Sequence, residues 1–285
     1  MRGIRSLALP LLLGLLAGPA ARCDEWAEGV PYTTDWEFGI RKAQETGRIL
    51  FVYTGWRTEG NCHVSDAARR ALETLAKGDD KKFAKYRESL QSNFVLVGDF
   101  LKSAAEENST HGPEEKEYEP YRIEVGYTPL MTFKKATGET IVSRVGIPLK
   151  PEEALTDLAG LLDQALKGNG PVKPPAKTRP LVQAFDAAER ELQAGRIARA
   201  IRGYEKVVEL GGDEKKFPER TPVTALDARK ALSRLEARGF QEVDSAVELA
   251  RSDPEEGRKK LQILGRQYAG LKRVEERISA ALERL

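Results

Sequence analysis

The segment that most constrains this chain is Arg48 to His63, RILFVYTGWRTEGNCH. Ile49 to Tyr53 is a short apolar run, partly β-branched and aromatic, bounded by Thr54-Gly55, and this pattern reads as a buried strand. Residues 34 to 47, TDWEFGIRKAQETG, open on polar cap candidates, close on Gly47 and place Trp36, Ile40 and Ala43 at helical spacing, so a helix precedes the strand. A helical region from Ser65 to Gln91, interrupted at Gly78, leads into a second strand-like run, Asn93 to Phe100. Strand, helix, strand implies a parallel pair with a right-handed crossover.

The sequence then turns polar from Leu101 to Glu119, with Asn108, Ser109, His111, Gly112 and Pro113 among many glutamates, and reads as a solvated loop or insertion. Leu130 to Lys134 and Glu139 to Val145 flank Ala136-Thr137-Gly138 as a hairpin would. Pro151 to Lys167 reads as a closing helix, with Pro151 and Glu152 in its first turn and Gly168 just past its end. Residues 168 to 180 combine glycine, prolines and basic residues without an apolar period, which is the composition of a linker. Beyond it the pattern is helical: Leu181 to Ala194 and Arg196 to Leu210 meet at Gly195 as a hairpin. Further helices are expected at Thr224 to Arg238, Gln241 to Arg251, Glu255 to Ala269 and Leu271 to Leu285, separated by Gly239, Asp253-Pro254 and Gly270.

A chain of 285 residues exceeds the usual single domain, so two domains are expected. The first residues carry Arg2 and Arg5, an apolar run from Leu7 to Leu16 and then small residues, the layout of a cleaved secretory signal over residues 1 to 23. The run is too short for a membrane span, which needs about 20 apolar residues. A lipoprotein reading would put Cys23 at the processing site, but Arg22 stands where such sites carry a small residue. The chain has 46 basic and 44 acidic residues, and Arg2, Arg5 and Arg22 fall within the signal. That near-balance gives no support for nucleic-acid binding, which wants a clustered basic face. Two cysteines, Cys23 and Cys62, are too few for a disulfide framework.

The order helix, strand, Cys at a helix start, helix, strand, Thr-Pro, hairpin, helix resembles the thioredoxin fold, giving a domain over residues 24 to 167 ahead of the linker and a helical domain over 181 to 285. FVYTGWRTEGNC is similar to the family's strand, turn and Cys-x-x-Cys, with Cys62 at the second cysteine position and Glu59 at the first. YEPYRIEVGYTPL, Tyr118 to Leu130, resembles the segment that ends in the family's cis-proline loop, which makes Pro129 the cis residue. FKKATGETIVSRVG, Phe133 to Gly146, resembles the terminal hairpin and the glycine after it. Within the helical domain, residues 191 to 210, ELQAGRIARAIRGYEKVVEL, resemble the turn and second helix of a tetratricopeptide repeat, through Gly195, Ala200, Tyr204 and Val208. No second copy at a period of about 34 residues is visible, and a generic helical hairpin stands beside that reading.

The resemblance implies a thiolate at the first position, activated at a helix N-terminus, and a second thiol that resolves the mixed disulfide. Glu59 holds the attacking position, and a carboxylate cannot exchange disulfides. The family's buried Asp in the preceding strand corresponds to Tyr53, so its proton acceptor is replaced too. Two roles remain for Cys62: packing as a small hydrophobe, or acting alone as a monothiol. Trp56, Arg57 and Glu59 fall on the loop where the fold presents its binding surface. Tyr127, Thr128 and Pro129 fall beside it, where the family's groove takes an extended peptide by strand addition. His63 and His111 are expected at the surface, with no metal site and no cofactor.

The sequence thus points to an exported, periplasmic or extracellular module that binds protein or extended peptide without dithiol chemistry. It is not integral to the membrane once the signal is removed. The alternatives are a thiol-disulfide oxidoreductase using Cys62 and a glutathione-transferase-like enzyme, whose class also sets a helical domain after a thioredoxin-like one.

Overall fold

The computed structural model describes residues 26–57, 62–78, 81–212 and 221–285, as a mixed α/β region followed by a helical one. The expected signal and Cys23 lie outside these residues. The first region contains β1 (Tyr32–Thr33), α1 (Trp36–Thr46), β2 (Ile49–Gly55), α2 (His63–Lys77), α3 (Ala84–Ser92), β3 (Phe94–Phe100), β4 (Ser109–His111), β5 (Ile123–Val125), β6 (Leu130–Lys134), β7 (Thr140–Val145) and α4 (Pro151–Asn169). The second contains α5 (Arg179–Gln193), α6 (Ile197–Gly211), α7 (Val223–Ser252), α8 (Pro254–Gln267) and α9 (Lys272–Glu283).

Every residue of β2 is buried, because the strand is central. It pairs in parallel with β3 and antiparallel with β6, and the five-stranded sheet runs β1-β3-β2-β6-β7. Successive side chains of a strand point to opposite faces. Accordingly Ile49, Phe51 and Tyr53 join the core with Leu72 and Leu75 of α2 and Leu158 and Leu162 of α4. Leu50 and Val52 pack on the other face with Ile40 and Ala43 of α1. An unbroken apolar run is what a strand covered on both faces requires.

The ends of α1 are set locally. The Asp35 carboxylate accepts the Phe38 N–H at 2.9 Å, and Gly47 closes the helix in the left-handed conformation at φ 66°. A Cβ on Gly47 would also lie 2.4 Å from the Lys173 carbonyl oxygen, so glycine admits both the turn and the linker backbone beside it. The linker segment continues into contact with α1, where the Thr178 hydroxyl donates to the Glu45 carbonyl at 2.6 Å.

The polar stretch 101–119 departs from a plain solvated loop. Part of it forms β4, which pairs antiparallel with β5, and Tyr121, Ile123 and Val125 just after it are buried against the α1 face of the sheet. Two glycines read as boundaries turn out to sit inside helices. Gly168 lies within α4, and a Cβ there would come 2.3 Å from the Ile141 side chain. Gly239 lies inside α7, a single helix of 30 residues, where a Cβ would come 3.0 Å from both Val274 methyls. In both places close packing of a neighbour, rather than a stop, accounts for the glycine.

In the helical region α5 and α6 pack across the turn at Ala194–Arg196, with Tyr204 of α6 fully buried and its ring centre 5.8 Å from that of Phe185 on α5. Asp253 caps α8 by accepting the Glu256 N–H at 3.1 Å. Among the described residues no helix is long and apolar enough to cross a membrane.

The two regions meet along α1. The Glu45 carboxylate accepts the backbone N–H groups of Val223 and Thr224 at 2.8 and 3.1 Å and the Thr224 hydroxyl at 3.1 Å. These are orphan donors of the first turn of α7, so a side chain of the α/β region caps a helix of the other. Lys42 pairs with Asp227, and Arg41 donates to the Thr221 carbonyl at 2.7 Å. Arg48, whose guanidinium burial holds below the usual arginine range, lies 3.3 Å from Asp186 of α5.

Candidate functional site

The sequence-predicted residues gather around the first turn of α2. Cys62 is the N-cap of this 15-residue helix, with φ −152° and no side-chain cap hydrogen bond. Its thiol is not in a disulfide, and the residue is half-buried. Ser65, one turn on, ties the helix to the end of β2: its hydroxyl accepts the Trp56 N–H at 3.4 Å, and its carbonyl accepts the Tyr53 hydroxyl at 3.4 Å. Glu59 lies outside the described residues. Arg57 is exposed and sets its guanidinium 5.7 Å from the Phe100 ring centre.

Tyr53 occupies the strand position where the resemblance expected an acid. It is fully buried, its ring centre 4.2 Å from that of Trp26, and burial pushes its hydroxyl well above the ordinary tyrosine range. A neutral phenol pinned to a carbonyl takes no proton from a neighbouring thiol at neutral pH. The position is therefore filled by packing.

The Thr128-Pro129 peptide bond is cis. The Pro129 carbonyl accepts the Gly146 N–H at 2.8 Å, and a Cβ on Gly146 would lie 3.9 Å from Val64 of α2. Gly146 thus links the proline loop to the helix that begins beside Cys62. Tyr127 projects outward at 74% exposure, the most exposed large apolar side chain among the described residues. Pro129, Cys62 and Trp56 are in this way brought to one end of the sheet, with Tyr127 at the rim.

A group of polar residues near this end was not anticipated. The Asp99 carboxylate, at the end of β3, accepts the Thr54 hydroxyl at 3.0 Å and lies 2.6 Å from His111 Nδ1. The Trp36 indole N–H points at its other oxygen at 3.5 Å. His111 Nε2 lies 3.1 Å from the Glu106 carbonyl oxygen. His111 is largely covered, at 11% side-chain exposure, which corrects the surface placement expected from its polar surroundings. Both ring nitrogens face oxygens, so the ring is held from both sides. The pair fastens the segment around β4 to the sheet, and the next residue of that segment, Glu107, accepts the Thr128 hydroxyl at 3.1 Å. His111, Asp99 and Glu107 thereby brace the loop that holds Pro129. One signal was present in the sequence: Asp99 is the only charged residue in the strand FVLVGDF.

His63 is exposed on the helix, and among the described residues no group of three or more side chains could hold a metal ion. The chain matches no family model, and no curated protein matches it.

Proposed function

We propose that residues 24–167 form a thioredoxin-like domain that binds an extended protein segment at the Thr128-Pro129 loop, without dithiol chemistry, and that the chain is exported. The sheet order with β2 central, Cys62 at the start of α2 and a cis proline leading into β6 support the fold. The single observation that carries the binding role is the braced, outward-facing loop. Thr128 is held by Glu107, Pro129 by Gly146, and Tyr127 stands in solvent next to them. An exposed aromatic beside a fixed loop supplies contact area at low entropic cost.

The chemistry expected of a dithiol is missing on two counts: Glu59 takes the attacking position in the sequence, and Tyr53 fills the acid position with a buried phenol. The helical domain, whose α5 and α6 resemble one tetratricopeptide unit, serves as a second protein-binding or assembly surface. A monothiol role has one observation in its favour, the half-buried, unbridged Cys62 at a helix N-terminus.

Insulin reduction in the presence of dithiothreitol separates the two roles, with Cys62→Ser as the comparison. The binding reading expects turnover no faster than the uncatalysed rate and the same for both proteins. Turnover that depends on Cys62 would overturn it. Tyr127→Ala then weakens capture of an unfolded, cysteine-free polypeptide by about tenfold, as loss of an aromatic anchor does.

A further inference from the structure

The last two helices carry opposite charge on their outer sides. At 3.6 residues per turn, Lys259, Ile263 and Arg266 lie on the side of α8 away from the buried Leu261 and Leu264, with Arg258 flanking them. On α9, Glu276, Ser279 and Glu283 lie opposite the buried Val274 and Ile278. The cations of α9 that approach α7 are already paired, Arg273 with Glu236 and Arg277 with Asp244. Arg258, Arg266, Glu276 and Glu283 are exposed, and their side chains have no partner among the described residues; Lys259 meets Glu256 only at 4.0 Å. Glu255 and Lys272, of the opposite sign to their rows, stand in the first turn of each helix, past the far end of the other.

The two rows also match in height. The short turn between them sets α8 and α9 antiparallel, and a Cβ on Gly265 would lie 3.9 Å from the Ile278 side chain, which fixes their register. Counting away from that contact, Ile263 is level with Ala280. Arg266 and Lys259 fall within one residue of the levels of Glu276 and Glu283. Along α9 runs a hollow of about 410 Å³ walled by Glu276, Ser279, Ala280 and Glu283, where two small side chains leave room between carboxylates. At the same level on α8, Ile263 stands 46% exposed.

We propose that this face pairs with itself: two copies of the chain associate about a two-fold axis that runs between α8 and α9, so that α8 of each copy lies on α9 of the other. A rotation about such an axis keeps every residue at its level and exchanges the two helices. Arg266 then meets Glu276 of the second copy, Lys259 meets its Glu283, and Ile263 enters the hollow beside its Ala280, each contact occurring twice. Any other partner would have to present a basic and an acidic row side by side at these same levels, which a second copy does by symmetry. The face is about 20 Å long, the length of one short helix, so the buried area is small and the dimer is weak and sensitive to salt. This gives the assembly role proposed for the helical domain a surface and a partner, and a failure here would leave the binding role of the proline loop untouched.

The test is sedimentation velocity of the full chain over a concentration series at low and high salt. A monomer–dimer equilibrium is expected at low salt, with a dissociation constant of about 0.1 mM, shifting to monomer at high salt. Arg266→Glu and Glu276→Arg each set two like-charged pairs across the dimer and weaken it by at least about tenfold. An equimolar mixture of these two variants regains the dimer, because each copy then offers the charge that the other lacks. That recovery also shows that both variants are folded. Ile263→Asp weakens the dimer without recovery in any mixture. A monomer at millimolar concentration in low salt overturns the proposal and leaves the face to a partner of another kind. Self-association that strengthens with salt, or that survives both charge reversals, places the contact elsewhere and overturns it too.

Discussion

The two halves of this chain differ in where they place some of their charges. In the helical half, ion pairs run between helix surfaces: Arg273 with Glu236, Arg277 with Asp244 and Arg196 with Glu191, all with a partner substantially exposed. The α/β half has exposed pairs too, such as Lys85 with Asp163 and Lys150 with Glu153, but it also draws polar and charged groups inside. Asp99 and His111 share a covered contact, and Lys134 is buried with its ammonium donating to the Pro120 and Gly138 carbonyls and the Thr140 hydroxyl, all neutral acceptors. Exposed pairs contribute little to stability, whereas a buried charge is expensive unless the surroundings are arranged around it. The difference teaches that the helical half is held mainly by its apolar seam, while the α/β half uses polar groups to fix particular loops. Those loops are the ones that carry the candidate site.

The seam between the halves offers the largest test of that contrast. Glu45→Ala leaves two buried N–H groups at the start of α7 without an acceptor, since Val223 and Thr224 are almost fully buried. A loss of about 1–3 kcal/mol is expected, and with it a split of the thermal transition into two as the halves uncouple. A single transition at unchanged temperature in calorimetry would mean that the cap does not join them.

Lys134 gives a smaller effect with a definite sign. Burial holds its ammonium below the ordinary lysine range. The unfolded chain therefore binds that proton more tightly than the folded one, and the cost of keeping Lys134 charged inside is fully felt at low pH. As pH rises from the folded value toward about 10.4, the ordinary value, that cost fades and stability is gained. Urea unfolding at several pH values above neutrality should show wild type gaining on Lys134→Met as pH rises. A difference that is flat or falls with pH would contradict the buried-charge account.

Arg277→Ala marks the small end. Its partner Asp244 is more than half exposed, and the change is expected to cost no more than about 0.5 kcal/mol and to vanish at high salt. A loss comparable to that of Glu45→Ala would erase the distinction between the two halves.

Much of the α/β fold was legible because its signals are local. The run Ile49–Tyr53, the Asp35 and Gly47 caps and the Thr137-Gly138 turn each specify backbone conformation within a few residues. Helix boundaries read from Gly168 and Gly239 went wrong because glycine has two uses, ending a helix or letting another chain come close, and only the neighbour decides between them. For Gly168 the neighbour is Ile141, 27 positions back in the chain, and for Gly239 it is Val274. Likewise Trp56, Cys62 and Pro129 were found by their order, while His111 was set among polar residues that gave no hint of Asp99 beneath it.

The sequence by itself determined a buried central strand, a helix that begins at Cys62, a proline after Thr128 and a helical second half. Each follows from side-chain size, β-branching or periodicity, which act over a turn or a strand. Tertiary structure decided that Glu45 caps a helix lying some 180 residues away, that Asp99 and His111 brace the loop of Pro129, and that β2 lies between β3 and β6 in the sheet. Hydrogen bonds and ion pairs depend on distances between groups that the chain separates widely, and only folding sets those distances.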